Sequence, residues 1–270
     1  MEALTDREEV HVDTPFGSPS DAITVGTLEG RRVAFLPRHG KGHRITPTEI
    51  PARANIFALK TLGVAHIVSV SAVGSLKEEM HPLDMVVPDQ IIDRTKSRVN
   101  SFFGGGIVAH VAFSNPFCPS LSRVLYSAAR DAGARAHAGG VLIVMEGPLF
   151  STRAESELYR SWGASVIGMT ALPEAKLARE AEICYATLAC VTDFDTWHPD
   201  HDSVSVELVV SNLLKNVDAG QGIVRRLMSN VPGRGDCVCP TALENAIITA
   251  REAIPERVKA DLAPLIGKYM

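Results

Sequence analysis

Two short stretches of the 270-residue chain gather groups able to do chemistry. Arg38-His39-Gly40-Lys41-Gly42-His43-Arg44 concentrates positive charge and hydrogen-bond donors around glycines. A guanidinium presents a planar fork that matches phosphate or carboxylate oxygens, and glycine lets the backbone approach an anion closely. The same residues would also suit a solvated basic loop on a surface hairpin. The second stretch, Thr192-Asp193-Phe194-Asp195, sets two carboxylates behind an apolar run. A carboxylic acid held near a leaving nitrogen can share or deliver its proton. A capping acid beside a surface acid is the plainer alternative. Ser71 and Thr170 follow two further apolar runs and add hydroxyl donors.

Other reactive residues are less organised. His198 and His201 have an HxxH spacing, but Pro199 argues against a helical ligand pair, and no metal is expected there. Of the five cysteines, Cys184 and Cys190 lie in apolar stretches, as small buried thiols do. Cys237-Val238-Cys239 sits in a Gly- and Pro-flanked segment, where either a strained disulfide or free thiols would fit. Its spacing is too tight, and its partners too few, for a structural zinc site.

The elements that must position these residues alternate between strand and helix patterns. Ile23–Leu28 and Arg32–Pro37 read as a hairpin joined by Glu29-Gly30. Thr48 to Leu62 has a helical apolar face closed by Gly63. His66–Ser71, Met85–Pro88 and Val141–Met145 are continuous apolar runs of the buried-strand kind. A helix follows from Ser151 or Thr152 to Trp162, then a strand at Val166–Met169 and a helix at Pro173–Ala181. Tyr185–Thr192 is a strand and Ser205–Met228 a long amphipathic helix, with shorter helices expected after Pro240 and Pro255. Asn100–Gly106 reads as a mobile surface loop. The alternation predicts a single α/β domain over residues 1–270, its mostly parallel sheet covered by helices on both faces. Residues 232–270 are expected to form a helical C-terminal extension.

In such a sheet, ligands bind at the carboxyl ends of the strands. Five successive candidate strands end in polar or Gly-containing turns, the pattern of a composite pocket. Composition narrows the partners. A net charge of −4, from 27 basic and 31 acidic residues, lacks the basic excess of a nucleic-acid-binding surface. No apolar run is long enough to span a membrane, and the acidic N-terminus is unlike a signal peptide, so a cytoplasmic location is expected.

Taken in order, the segments resemble one family, the methylthioadenosine phosphorylase branch of the trimeric purine nucleoside phosphorylases. The resemblance runs from about residue 10 to residue 230. Its matching stretches are Val12-Asp-Thr-Pro-Phe-Gly-Ser-Pro-Ser-Asp21, Arg38-His39-Gly40, Arg53-Ala-Asn-Ile-Phe-Ala-Leu59 and Ser71-Ala-Val-Gly-Ser75. It continues with Pro88-Asp-Gln-Ile-Ile-Asp-Arg94, Asn115-Pro-Phe-Cys-Pro119, Glu146-Gly-Pro-Leu-Phe-Ser-Thr-Arg-Ala-Glu-Ser156, Gly168-Met-Thr-Ala-Leu-Pro-Glu174 and Thr192-Asp-Phe-Asp195.

The resemblance implies a mixed, barrel-like sheet, trimeric or hexameric association, and no metal or organic cofactor, with inorganic phosphate as co-substrate. By position it implies phosphate binding by Arg38, His39, Ser71, Ala72 and Thr170. Met169 would lie under the ribose, and Phe150 and Ile167 would line the base and sugar pocket. Val206, Val209 and Val210 would line the 5′-methylthio group, and His110 would reach a neighbouring subunit's pocket. Asp193 and Asp195 would face the adenine N7 and amino group. The reaction implied is phosphorolysis of 5′-methylthioadenosine. Alternatives are a 6-oxopurine or methylthioinosine phosphorylase, or a non-catalytic nucleoside-binding relative.

The sequence departs from the family in places. Leu149 stands where Arg is common and Gly168 where some relatives have Asn. Family members begin with a strand and a Gly-rich phosphate turn, whereas Met1-Glu-Ala-Leu resembles the residues that come just after that turn. The expectation is therefore an internal methionine at position 1 and a longer natural protein. The CxC pair resembles that of disulfide-bearing thermophilic members, which makes a Cys237–Cys239 bond a pairing to test and leaves its redox state open.

Overall fold

The structure, a computed structural model, describes residues 3–199 and 206–270, without the side chain of Leu208. Ser205, the expected helix start, and His201 of the HxxH pair lie outside the described residues.

Two sheets form the frame. Strands β1 (Thr5–Val10), β2 (Ile23–Leu28) and β3 (Arg31–Phe35) make an antiparallel three-stranded sheet, turned at Glu29-Gly30 with both residues at positive φ. Helix α1 spans Ala52–Thr61. It starts later than the apolar pattern predicts, because Pro51 occupies the N-cap and the Thr48 hydroxyl bonds Glu146. Strands β4 (His66–Ser75), β5 (Met85–Val87) and β6 (Gln90–Arg94) then enter a second sheet. Helix α2 (Pro119–Asp131) and strand β7 (Ala136–Ala138) follow. Next come β8 (Val141–Met145), α3 (Arg153–Ser161) and β9 (Val166–Gly168). The chain continues with α4 (Ala171–Glu180), β10 (Cys184–Asp193) and α5 (Val206–Met228), and ends with α6 (Glu256–Asp261) and α7 (Ala263–Ile266).

The second sheet has seven strands in the order β6-β8-β9-β4-β10-β5-β7. It is mixed: β4–β10, β5–β7, β6–β8 and β8–β9 are parallel, while β4–β9 and β5–β10 are antiparallel. All ten residues of β10 are buried. The two-residue period of a strand divides them between two cores. Tyr185, Ala189 and Val191 join Leu177 and Ala178 of α4, whereas Cys184, Ala186, Leu188 and Cys190 join Leu121 and Leu125 of α2 and Ile223 of α5. Helices thus cover both faces.

Several expectations are corrected. Helix α2 and strands β1, β6 and β7 are absent from the elements expected on sequence pattern. Yet Pro119 at the first turn and buried Leu121, Leu125, Ala128 and Ala129 carry a helical period. Around Pro240 the chain forms a 3-10 turn, Cys239–Thr241, in place of the helix expected to follow that proline. Residues 232–270 are also less of an appendage than expected, since Leu243, Ile254, Leu262, Leu265 and Ile266 are buried in the α4-side core. The Asn100–Gly106 loop is pinned: Phe102 is buried, and its N–H and the Ser101 hydroxyl donate to the Glu180 carboxylate at 2.7 and 2.8 Å. No helix of the described residues is long and apolar enough to cross a membrane.

Candidate functional site

Strand β4 runs four residues beyond its expected end at Ser71, so Ser71 and Ala72 lie inside the strand and not in a turn after it. Parallel pairing with β10 sets Ser71 opposite Ala189 and Gly74 opposite Asp193. The two chemical stretches thereby become neighbouring corners of one sheet end.

The first corner is built on Arg38, just past β3. Its guanidinium donates to the Ser69 hydroxyl at 2.9 Å, to the Glu174 carboxylate at 3.0 Å and to the Val70 carbonyl at 2.8 Å. Glu174, in the first turn of α4, is buried and also accepts from the Tyr185 hydroxyl at 2.9 Å. Ser69 and Ser71 are 3.3 Å apart, and Ser71 and Thr170 3.2 Å, so three hydroxyls line up beside the cation. His39 stacks on His43 at 4.2 Å, with Nδ1 2.8 Å from the Ile45 carbonyl. Burial lowers its pKa, with the charges of His43 and Arg38 adding to the shift. A cation and three hydroxyls, with the His39 ring beside them, suit an oxyanion. The turn depends on Gly40: at φ +71° a side chain is strained, and a Cβ would lie 3.0 Å from Arg44.

The second corner is closed and acidic. Asp193 ends β10 and is buried; it accepts the Asp195 N–H at 2.8 Å and the Thr192 hydroxyl at 2.7 Å. Burial raises its pKa and the Asp195 charge adds to that, against the lowering effect of those two hydrogen bonds. Asp195 is also buried, at φ +50°, and both of its oxygens lie 2.7 Å from the Ser151 hydroxyl. Gly74 makes the fit possible. A Cβ there would sit 2.9 Å from Asp193 Oδ1 and 3.2 Å from both Asp195 Cβ and Ile167 Cγ2.

Ile167 and Met169 connect the corners: Ile167 touches the Gly74 position, and Met169 precedes Thr170 and packs on Gly147. Arg98, which no sequence pattern singles out, holds this junction. Its guanidinium donates to the Met169 and Leu172 carbonyls at 2.5 and 2.7 Å and reaches the Met145 and Glu146 carbonyls. Glu146 pairs with it at 3.5 Å. Burial alone would push the Glu146 carboxyl up, but the Thr48 hydroxyl, the Lys96 and Ser97 amides and Arg98 hold it low. Glu174, Ser151 and Ser69 also hold the two corners, although sequence reasoning assigns them no role. Glu174 and Ser151 fall within the family-like stretches, but their partners lie up to 136 residues away and only the fold reveals them.

The remaining candidates stand further out. Phe150 is 42% exposed, Val206 63% and Val210 46%, and His110 is exposed as well. None of them touches either corner through a described hydrogen bond. Val209 shares a helix face with Asn212, whose amide donates to the Thr192 carbonyl at 2.7 Å, so this valine lies near the acidic corner.

The cysteines overturn one expectation. Cys237 and Cys239 do not lack partners: Cys118 and Cys184 join them, with all four sulfurs within 4.8 Å of one another. All five cysteines are free thiols, so no Cys237–Cys239 bond is present.

The mixed sheet sets a cationic, hydroxyl-lined corner beside a buried acidic one, an arrangement that fits an enzyme handling phosphate and a small molecule. Comparison with known proteins says which family this is. The Phosphorylase superfamily profile matches residues 1–229. S-methyl-5'-thioadenosine phosphorylase of Chloroflexus aurantiacus is 59% identical over the whole chain and 94% of its own length. The Koribacter versatilis protein of the same name is 56% identical, with 92% of its length covered. A methylthioadenosine phosphorylase from an Antarctic soil metagenomic library superposes with a TM-score of 0.93 at 52% identity, covering 98% of this chain and 94% of that one. The chain belongs to the phosphorylase superfamily.

Proposed function

We propose that the chain cleaves 5′-methylthioadenosine with inorganic phosphate, releasing adenine and 5-methylthioribose 1-phosphate. The observation that carries this reading is the adjacency of the two corners, with Gly74 and Asp193 opposite each other across β4 and β10. Relatives of the same printed activity along the whole chain support it. Phosphate is held by Arg38, the His39 backbone, Ser71, Ala72 and Thr170. Met169 and Ile167 support the ribose, and Phe150 flanks the base. As the C1′–N9 bond stretches, the bound anion stabilises the growing positive charge on the sugar. Asp193 shares its proton with N7 so that adenine departs as a neutral base, and Asp195 accepts from the 6-amino group. Burial raises the pKa of Asp193, which favours its proton-carrying form relative to an exposed carboxylate.

Val206, Val209 and Val210 serve the methylthio end. Val206 and Val210 are exposed in a single chain, as are Leu149 and Val108, which suits closure of the pocket by a second copy that contributes His110. The proposal is a homotrimer or a dimer of trimers.

Adenine release from methylthioadenosine, measured with and without phosphate, tests the proposal. Phosphate-dependent release by the 270-residue chain is the expected result. Phosphate-independent release, or none, overturns it.

A further inference from the structure

The four-cysteine cluster lies outside both corners and takes no part in the reaction above. Its members come from three separate places in the chain. Cys118 is the N-cap residue of α2, Cys184 opens β10, and Cys237 and Cys239 flank Val238 in the C-terminal segment. Cys118, Cys184 and Cys239 are at most 2% exposed, while Cys237 is half-buried. All four sulfurs lie within 4.8 Å of one another, and Cys184 and Cys237 are 3.3 Å apart. A tetrahedron of thiolates about zinc, at Zn–S distances near 2.3 Å, sets its sulfurs about 3.8 Å apart. The cluster needs only small side-chain movements to reach that shape. Cys190, on the same strand and in the same core, stays outside it.

Four thiols turned towards one another gain little as neutral groups, because S–H is a weak donor and sulfur a weak acceptor. A second feature points the same way. His66 pairs with Cys184 across β4 and β10, and its Nε2 is buried without a hydrogen-bond partner. In parallel strands paired residues face the same side, so this imidazole lies beside the cluster. A metal-bound thiolate is an acceptor for such an N–H, and partners of this kind commonly orient metal ligands.

We propose that Cys118, Cys184, Cys237 and Cys239 form a structural site for one zinc ion, which ties the C-terminal segment to α2 and β10. With four protein ligands the site is closed, so the ion has no open position for substrate and its role is to hold the fold. Binding displaces the four thiol protons, and the half-buried Cys237 provides the side from which the metal enters.

The test uses the full chain purified under reducing conditions. Elemental analysis is expected to give one zinc per chain. Replacing it with Co²⁺ should give the visible bands and the thiolate-to-metal charge transfer of tetrahedral thiolate coordination. Cys237→Ser, at the most accessible ligand, and Cys239→Ser should each lose the zinc and lower the unfolding temperature. Cys190→Ser should keep the zinc. If Cys237→Ser fails to fold, release of zinc from the unaltered chain by a mercurial in the presence of a chromogenic chelator supplies the same count. Zinc retained by both ligand variants overturns the site. So does a zinc-free chain, whether non-reducing mass analysis finds its cysteines paired as disulfides or free.

Discussion

The two corners of the site are built from opposite materials. At the Asp193 corner the acid itself is held locally and closed in: Thr192, Asp193 and Asp195 lie within four residues, and the backbone supplies one of the bonds that hold the first carboxylate, while Ser151 reaches Asp195 from 44 residues away. At the Arg38 corner the cation is fixed by Ser69, Val70 and Glu174, which are 31, 32 and 136 residues away, and it borders a groove between two sheets. The difference follows from the charge each must handle. A buried acid keeps its proton when water is excluded, so its surroundings are shut and pre-set. An anion has to enter and leave, so its cation rests on an internal carboxylate that incoming phosphate can outcompete or share.

Removing the acid should have the largest effect. Asp193→Ala leaves ribose and phosphate contacts intact but takes away the proton shared with N7, and should lower kcat by about 10²–10⁴-fold with little change in the phosphate KM. An equal rise in the phosphate KM would mean that the corners are not separable. Asp193→Asn should lose methylthioadenosine activity and gain relative preference for inosine-type substrates, because an amide can donate to O6. Unchanged specificity would remove Asp193 from the base-binding role.

The cation comes next. Arg38→Met keeps the length of the side chain and removes its donors, and should lower kcat/KM for phosphate by about 10²–10³-fold, the usual effect of losing one charge-stabilising donor. The phosphate KM should carry most of that loss. A variant with normal phosphate KM would sever Arg38 from the anion.

Gly74→Ala probes the contact between the corners. Its Cβ would meet Asp193 Oδ1 at 2.9 Å and the Ile167 side chain at 3.2 Å, so the acid or the sugar floor must shift. Overpacking of this kind costs about 1–3 kcal/mol. The unfolding temperature and kcat should fall together, while the phosphate KM stays near normal. A stable, fully active variant would show that the acid has room to move.

The closed corner is legible in the sequence because its signal is local. An apolar run ending in Asp-Phe-Asp places both carboxylates at a strand end, where β10 indeed stops at Asp193. The hydroxyls are legible as residues but not in their place along the chain: β4 continues to Ser75, so Ser71 acts from within a strand. Links that depend on the tertiary fold leave no trace. Arg98 reaches Met169 across 71 residues, and Cys118 meets Cys239 from 121 positions earlier in the chain. Helix α2 is a different kind of miss, since its period and its Pro119 are present in the sequence.

The smallest effect separates the corners by stability rather than rate. The folded-state pKa of Asp193 lies above its ordinary value of 3.8, with burial the largest cause. Below that value both folded and unfolded chains carry the proton, and the group contributes no pH dependence. As pH rises through the window up to the folded pKa, the unfolded chain releases the proton and the folded chain keeps it, so stability falls. Above the folded pKa that loss is complete. Asp193→Asn does not titrate, so the unaltered protein should lose stability relative to this variant as pH rises through the window, by at most about 1.4 kcal/mol per pH unit. Paired denaturant titrations from acid to neutral pH measure the difference directly. A flat difference would mean that the Thr192 hydroxyl and the Asp195 amide fully offset burial, leaving Asp193 ionised at rest. The proton given to N7 would then have to arrive with the substrate.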